Sequence, residues 1–157
     1  MSQAASRGIR PNQGDRTATT STVVNSRSAD VKSVYAPIQA ELDSVELILQ
    51  TELRSETPFV DQLLEHSWLL GGKRIRPAFL LLSAACCGGI AEPHLQMAAA
   101  LEMIHTATLV HDDILDEAKT RRHRATANAT WGNKISVLLG DYLFTHSFHL
   151  ASRRIFL

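Results

Sequence analysis

The stretch Leu95–Glu117, LQMAAALEMIHTATLVHDDILDE, decides the fold. From Leu95 to Val110 it is apolar almost all the way round a helix, and a helix of that kind belongs in the middle of a bundle. It ends in Asp112, Asp113 and Asp116. Bare carboxylates on a buried helix are costly, so the pattern predicts a divalent cation rather than a solvated acidic end. At about 100° per residue, with Asp112 as zero, Asp116 lies near +40°, His105 near +20°, Leu101 near −20° and Thr108 near −40°. One stripe therefore carries an apolar side chain, an imidazole, a hydroxyl and two carboxylates. Asp113 falls about 100° away and is expected to be a weaker, supporting partner of the metal. One or two carboxylates suit Mg²⁺, which completes its shell with water and phosphate oxygens, and this points to a diphosphate substrate.

Working outward, Pro93 opens this long helix. Upstream, a helix is expected from Arg76-Pro77 through Phe79-Leu80-Leu81-Leu82 to Cys87, stopped by Gly88-Gly89. Another should open at Thr57-Pro58 and run through Phe59, Leu63, Leu64, Trp68 and Leu69 to Gly71-Gly72. From Tyr35 onward, Ile38, Leu42, Val45, Ile48 and Leu49 recur at helical spacing. Downstream, Trp131 to about Arg154 reads as one helix, with Ile135, Leu138, Leu139, Tyr142 and Leu143 on its apolar positions. No strand-like alternation competes, so the expected class is all-α. Residues 1–33, rich in Ser, Thr, Arg, Asn and Gln, read as a disordered leader. The helical domain is expected over 34–157.

Composition excludes several classes of function. The 157 residues are 45% hydrophobic and 20% charged with zero formal net charge, which is ordinary for one globular domain and gives no field for nucleic acid. The charge-free run Pro77–Ala91 is too short and too glycine-interrupted to be a transmembrane segment. Adjacent Cys86 and Cys87 in an apolar run read as buried free thiols, and a reducing, cytoplasmic setting fits them. Arg7, Arg10, Arg16 and Arg27 have the flavour of an organelle transit peptide, against which Asp15 and Asp30 argue.

Two basic segments accompany the acidic one. Gly71-Gly72-Lys73-Arg74-Ile75-Arg76-Pro77 puts three cations at a loop-to-helix junction, where free N–H groups and the helix dipole also favour an anion. Arg121-Arg122 follows the aspartates, and arginine is suited to bidentate phosphate binding. His105 on the metal-facing stripe is a candidate phosphate donor. His146 and His149 lack the spacing and companions of a zinc set and read as structural.

Together with Glu102–Asp116, Trp131-Gly132-Asn133 and Gly140-Asp141-Tyr142-Leu143, these segments resemble the trans-prenyl diphosphate synthases, the polyprenyl synthetase family, over about residues 35–157. The resemblance implies the N-terminal half of a helical-bundle isoprenoid synthase fold. It also implies a Mg²⁺-assisted condensation of isopentenyl diphosphate with an allylic diphosphate. Asp112 and Asp116 would hold the metal on the allylic diphosphate with Asp113 assisting. Lys73, Arg76, His105 and Arg122 would bind isopentenyl diphosphate, and Arg121 the allylic one. Product length in the family is governed just upstream of the aspartates. Small Ala107 and Thr108 there would let a tunnel continue toward Ile104 and Leu101, giving a medium or long chain such as a quinone side-chain precursor. A complete enzyme would be a homodimer.

The sequence departs from the family in two ways. His123 stands where the family's Arg-Arg-Gly run has glycine. The family's second aspartate-rich motif would lie beyond Leu157, so the C-terminal half of the domain is expected to be absent and the isolated chain to have little activity. A non-catalytic subunit that pairs with a complete synthase is the alternative. A terpene cyclase would not need the Gly71–Pro77 segment.

Overall fold

The computed structural model describes residues 31–69 and 72–153. Gly71, the end of the fifth expected helix at Arg154, and all of the expected leader except residues 31–33 lie outside them. Those three residues open a short helix, α1 (Val31–Tyr35), which passes through a 3-10 turn (Ala36–Ile38) into α2 (Gln39–Glu52). There follow α3 (Pro58–Leu69), α4 (Ile75–Cys86) and α5 (Glu92–Leu115). A hairpin of two-residue strands, β1 (Thr120–Arg121) and β2 (Arg124–Ala125), leads to α6 (Ala127–Trp131) and α7 (Asn133–Ser152). The all-α expectation stands, since this hairpin holds the strands found among the described residues.

α5 is the central helix, packed against α7, α4 and α2. Its alanines make the close approach possible: Ala98, Ala99, Ala100 and Ala107 are fully buried alongside Met103 and Val110. Leu49, Leu64, Leu81, Leu143 and Leu150 close the core from the surrounding helices. α7 comes close at Gly140, where a Cβ would lie 2.1 Å from Nε2 of His111 on α5. That missing side chain admits the His111 ring, whose Nε2 donates to the Val137 carbonyl at 3.2 Å.

Three expectations need correction. α5 is buried on one face only, because its neighbours cover one side: Met97, Thr108 and Leu115 are exposed. Cys86 and Cys87 are exposed free thiols, because α4 turns Pro77, Ala78 and Leu81 inward and its last turn runs past the packed region. The helix expected to open at Trp131 opens at Asn133 instead: Trp131 closes the short α6, and Gly132 at φ 82, a backbone conformation natural to glycine, separates the two.

Candidate functional site

One pocket of about 470 Å³ gathers Lys73, Arg76, His105 and Arg122, with Gly72, Arg74, Ile75, Glu102, Thr106 and Leu109 also in its wall. Three segments far apart in sequence meet there: the loop into α4, the middle of α5 and the hairpin turn. Burial pushes the His105 pKa down from its usual value, and the nearby cations Arg76, Arg122 and Arg121 push it the same way against the opposing pull of Glu102. His105 therefore stays neutral at pH 7, able to donate one hydrogen bond without adding charge to a cationic pocket.

Arg74, the third cation of its segment, serves a different end. It lies just before α4 at φ 51 and ψ 36, and its side chain turns inward. Nε and Nη2 donate to the two oxygens of Glu46, Nη1 donates to Glu102 Oε1 at 3.1 Å, and the guanidinium sits 4.7 Å from the Trp68 ring centre. Burial works against its charge, but the two carboxylates outweigh that and raise its pKa. Beside it the Tyr35 hydroxyl donates to the Lys73 carbonyl at 2.9 Å. Gly72 makes room for the Arg122 guanidinium, which would lie 2.7 Å from a Cβ at that position.

The acidic end of α5 divides by face. Asp112 and Asp116 are exposed, open to water and to any ligand that approaches the helix end. Asp113 is buried at 2% exposure, and Arg121 grips it through Nε at 2.9 and 3.1 Å and Nη2 at 2.8 Å. The hydrogen bond to Asp113 raises the Arg121 pKa, with Asp112 and Asp116 contributing further. Arg121 thus spans the buried and exposed acids. The seven residues from His105 to Asp112 correspond to roughly 10 Å of helix, so the basic pocket and the acidic end are neighbouring stations along α5. Two carboxylates one turn apart on an exposed edge fit a hard cation that draws its remaining ligands from water and phosphate.

The chain-length positions diverge. Ala107 is buried, Leu101 and Ile104 are half-buried, and Thr108 is exposed with its hydroxyl donating to the His105 carbonyl at 2.8 Å. None of the four lines the basic pocket. His146 has a structural partner in Glu52 at 2.9 Å, and His149 accepts from Arg153.

Sequence reasoning missed the residues that hold the hairpin. Thr126 is fully buried and donates to the Ala118 carbonyl at 2.7 Å, while also capping α6. Asn128 donates to the carbonyls of Asp113 and Ala118. The signal available was Thr126 as an N-cap before Ala127. The hairpin pairs Thr120 with Ala125 and Arg121 with Arg124, leaving Arg122 and His123 as a two-residue turn at φ 50 and 65. Both values positive make it a type I′ turn, whose second position favours glycine. His123→Gly is accordingly expected to stabilise the chain by about 1 kcal/mol, read as a higher urea midpoint with unchanged slope. An unchanged or lower midpoint would count against strain at this turn.

Residues 57–154 match the pattern of the polyprenyl synthetase family. The all-trans-nonaprenyl-diphosphate synthase (geranyl-diphosphate specific) of Rhodobacter capsulatus is 42% identical over 76% of this chain and 37% of its own length. The octaprenyl diphosphate synthase of Escherichia coli K12 is also 42% identical, over 70% of this chain and 34% of its own. Among solved structures, a decaprenyl diphosphate synthase from R. capsulatus superposes with a TM-score of 0.74 at 39% identity, covering 79% of this chain and 38% of that one. A polyprenyl synthase from Caulobacter crescentus, complexed with calcium and isoprenyl diphosphate, gives the same TM-score at 35% identity and the same coverage. The chain spans a little over a third of the length of these relatives.

Proposed function

The chain belongs to the polyprenyl synthetase family, and we propose that its residues supply part of a trans-prenyltransferase site that joins isopentenyl diphosphate to an allylic diphosphate. The observation that carries this reading is the pocket in which Lys73, Arg76, His105 and Arg122 converge. Three cations and one neutral imidazole donor match a diphosphate, whose charge calls for several charge-assisted hydrogen bonds in one place. In this reading these four residues hold isopentenyl diphosphate and fix where its double bond lies. Arg121, anchored by Asp113, presents its remaining donor capacity to the allylic diphosphate.

Asp112 and Asp116 would hold Mg²⁺, with Asp113 steadying their helix end through Arg121. The metal, when bound, neutralises charge that develops on the departing diphosphate. The chain's own contribution is to orient the two substrates along α5 and to offer fixed cations to the leaving group. Carbon–oxygen cleavage in the allylic partner yields diphosphate and an allylic cation. The double bond of isopentenyl diphosphate attacks that cation, and loss of a proton restores the alkene.

Small Ala107 and Thr108 favour a medium- or long-chain product, in keeping with the octaprenyl and nonaprenyl names of the relatives. The site would act in a homodimer. A cytoplasmic setting, in which the free thiols Cys86 and Cys87 stay reduced, is part of this reading; no helix among the described residues is long and apolar enough to cross a membrane.

The test is a calorimetric titration with isopentenyl diphosphate. Lys73→Met with Arg76→Met is expected to weaken binding by about 100-fold, at roughly 1.4 kcal/mol for each charge-assisted hydrogen bond removed. Both side chains are exposed, so the melting temperature should hold within about 2 °C. A double variant that binds as tightly as the parent would refute the reading.

A further inference from the structure

Arg74 sits between two proposed ligands, Lys73 and Arg76, and yet its guanidinium is committed elsewhere. Glu46 on α2 takes it from one side, Glu102 on α5 from another, and Trp68 on α3 covers its face. Arg74 borders the pocket, but three of its N–H donors are already spent on these two carboxylates. The backbone of Arg74 is left-handed at φ 51, a conformation that L residues adopt only where their surroundings hold them. Here the three anchors do so, and the Tyr35 hydroxyl pins the preceding carbonyl. Glu102 is the further link. It is 5% exposed, it lines the pocket one turn before His105, and its second oxygen, Oε2, has no hydrogen-bond partner among the described residues.

We propose that Arg74 is a positioning residue. By bridging Glu46 and Glu102 against Trp68, it fixes the loop that carries Lys73 and Arg76 at the correct offset from His105 on α5, and it does not itself bind the anion. The proposal rests on the reading of the pocket as a diphosphate site. It assigns to the middle cation of the segment a role opposite to that of its neighbours. It also explains why the residue is arginine: the planar fork reaches two carboxylates and stacks on an indole, which a lysine ammonium cannot do at once.

Inorganic diphosphate titrated into the 157-residue chain, below each variant's measured melting range, tests this. Glu46→Asp keeps the charge but withdraws the carboxylate by one methylene. It is expected to weaken diphosphate binding roughly tenfold, through misplacement of Lys73 and Arg76, and to alter Trp68 fluorescence. Were Arg74 a ligand held in reserve, the same change would release it and binding would be equal or tighter, which overturns the proposal. Arg74→Lys retains the charge and is expected not to rescue, again with roughly tenfold weaker binding. Parental affinity in that variant also overturns it. If Lys73→Met weakens binding while Glu46→Asp and Arg74→Lys leave it intact, the positioning role alone falls. If the parent chain binds no diphosphate, the reading of the pocket falls and takes this inference with it.

Discussion

Asp113→Ala is expected to cost about 3 kcal/mol of stability, whereas Asp112→Ala and Asp116→Ala should each cost less than about 0.5 kcal/mol. The three carboxylates stand within five residues of one another, and the difference comes from the face each occupies. Asp113 is 2% exposed and is held by Nε and Nη2 of Arg121 through N–O contacts of 2.8, 2.9 and 3.1 Å. Removing one partner of a buried pair leaves the other charge without compensation, at a typical cost of about 3–5 kcal/mol. The lower end applies because the Arg121 side chain, 27% exposed, can turn toward water. The loss should also free the hairpin, since Arg121 lies on β1 and the hairpin's other anchors, Thr126 and Asn128, hold only its far end. Thermal unfolding followed by circular dichroism should show a fall of about 10 °C for Asp113→Ala. In the proposed metal role, Asp112→Ala should instead abolish the rise in melting temperature produced by Mg²⁺ with diphosphate, by mass action on the folded state. If Asp112→Ala proved as destabilising as Asp113→Ala, the division by face would be wrong.

That division was only half legible in the sequence. The helical wheel put Asp113 about 100° from the stripe of Asp112, Asp116 and His105, and the structure keeps them on different faces. A wheel gives angles around one helix but does not say which angle meets a neighbour, so it left Asp113 as a supporting metal partner and gave no sign of its burial. Its actual partner, Arg121, arrives through a hairpin whose turn, Arg122-His123, carries neither Asn nor Gly, the usual marks of such a turn. Elsewhere punctuation made the fold readable. Pro58, Pro77, Pro93 and Gly88-Gly89 delimit α3, α4 and α5 to within a residue or two of their ends. Where punctuation is ambiguous the pattern misleads: Gly132 did not register as a break, so the last helix was expected to open at Trp131, two residues early, and the short α6 was not foreseen. Cys86 and Cys87 read as buried because an apolar run reports helix but not which side is covered. The basic pocket was legible through residue chemistry, while the fate of Arg74 was not, since its partners Glu46 and Glu102 lie 28 residues away on either side.

Gly140→Ala is expected to destabilise the chain by about 2 kcal/mol, although alanine is the better helix former. Position 140 is interior to α7, where the exchange alone would gain about 1 kcal/mol. Against this stands the seam with α5. The new Cβ would lie 2.1 Å from Nε2 and 2.4 Å from Cδ2 of His111, so the ring must leave or the helices must part. Overpacking of this kind costs up to about 3 kcal/mol, and departure of the ring also forfeits its bond to the Val137 carbonyl. The consequence reaches the site, because His111 immediately precedes Asp112 on the last turns of α5. A double-mutant cycle separates steric conflict from a general intolerance of alanine at this point. In a His111→Ala background the obstructing ring is gone, and Gly140→Ala should become neutral or stabilising by up to about 1 kcal/mol. Chemical unfolding of the four proteins measures the coupling. A loss of the same size in both backgrounds would show that the ring is not what Gly140 accommodates, and that the α5–α7 spacing is set elsewhere along the alanine face.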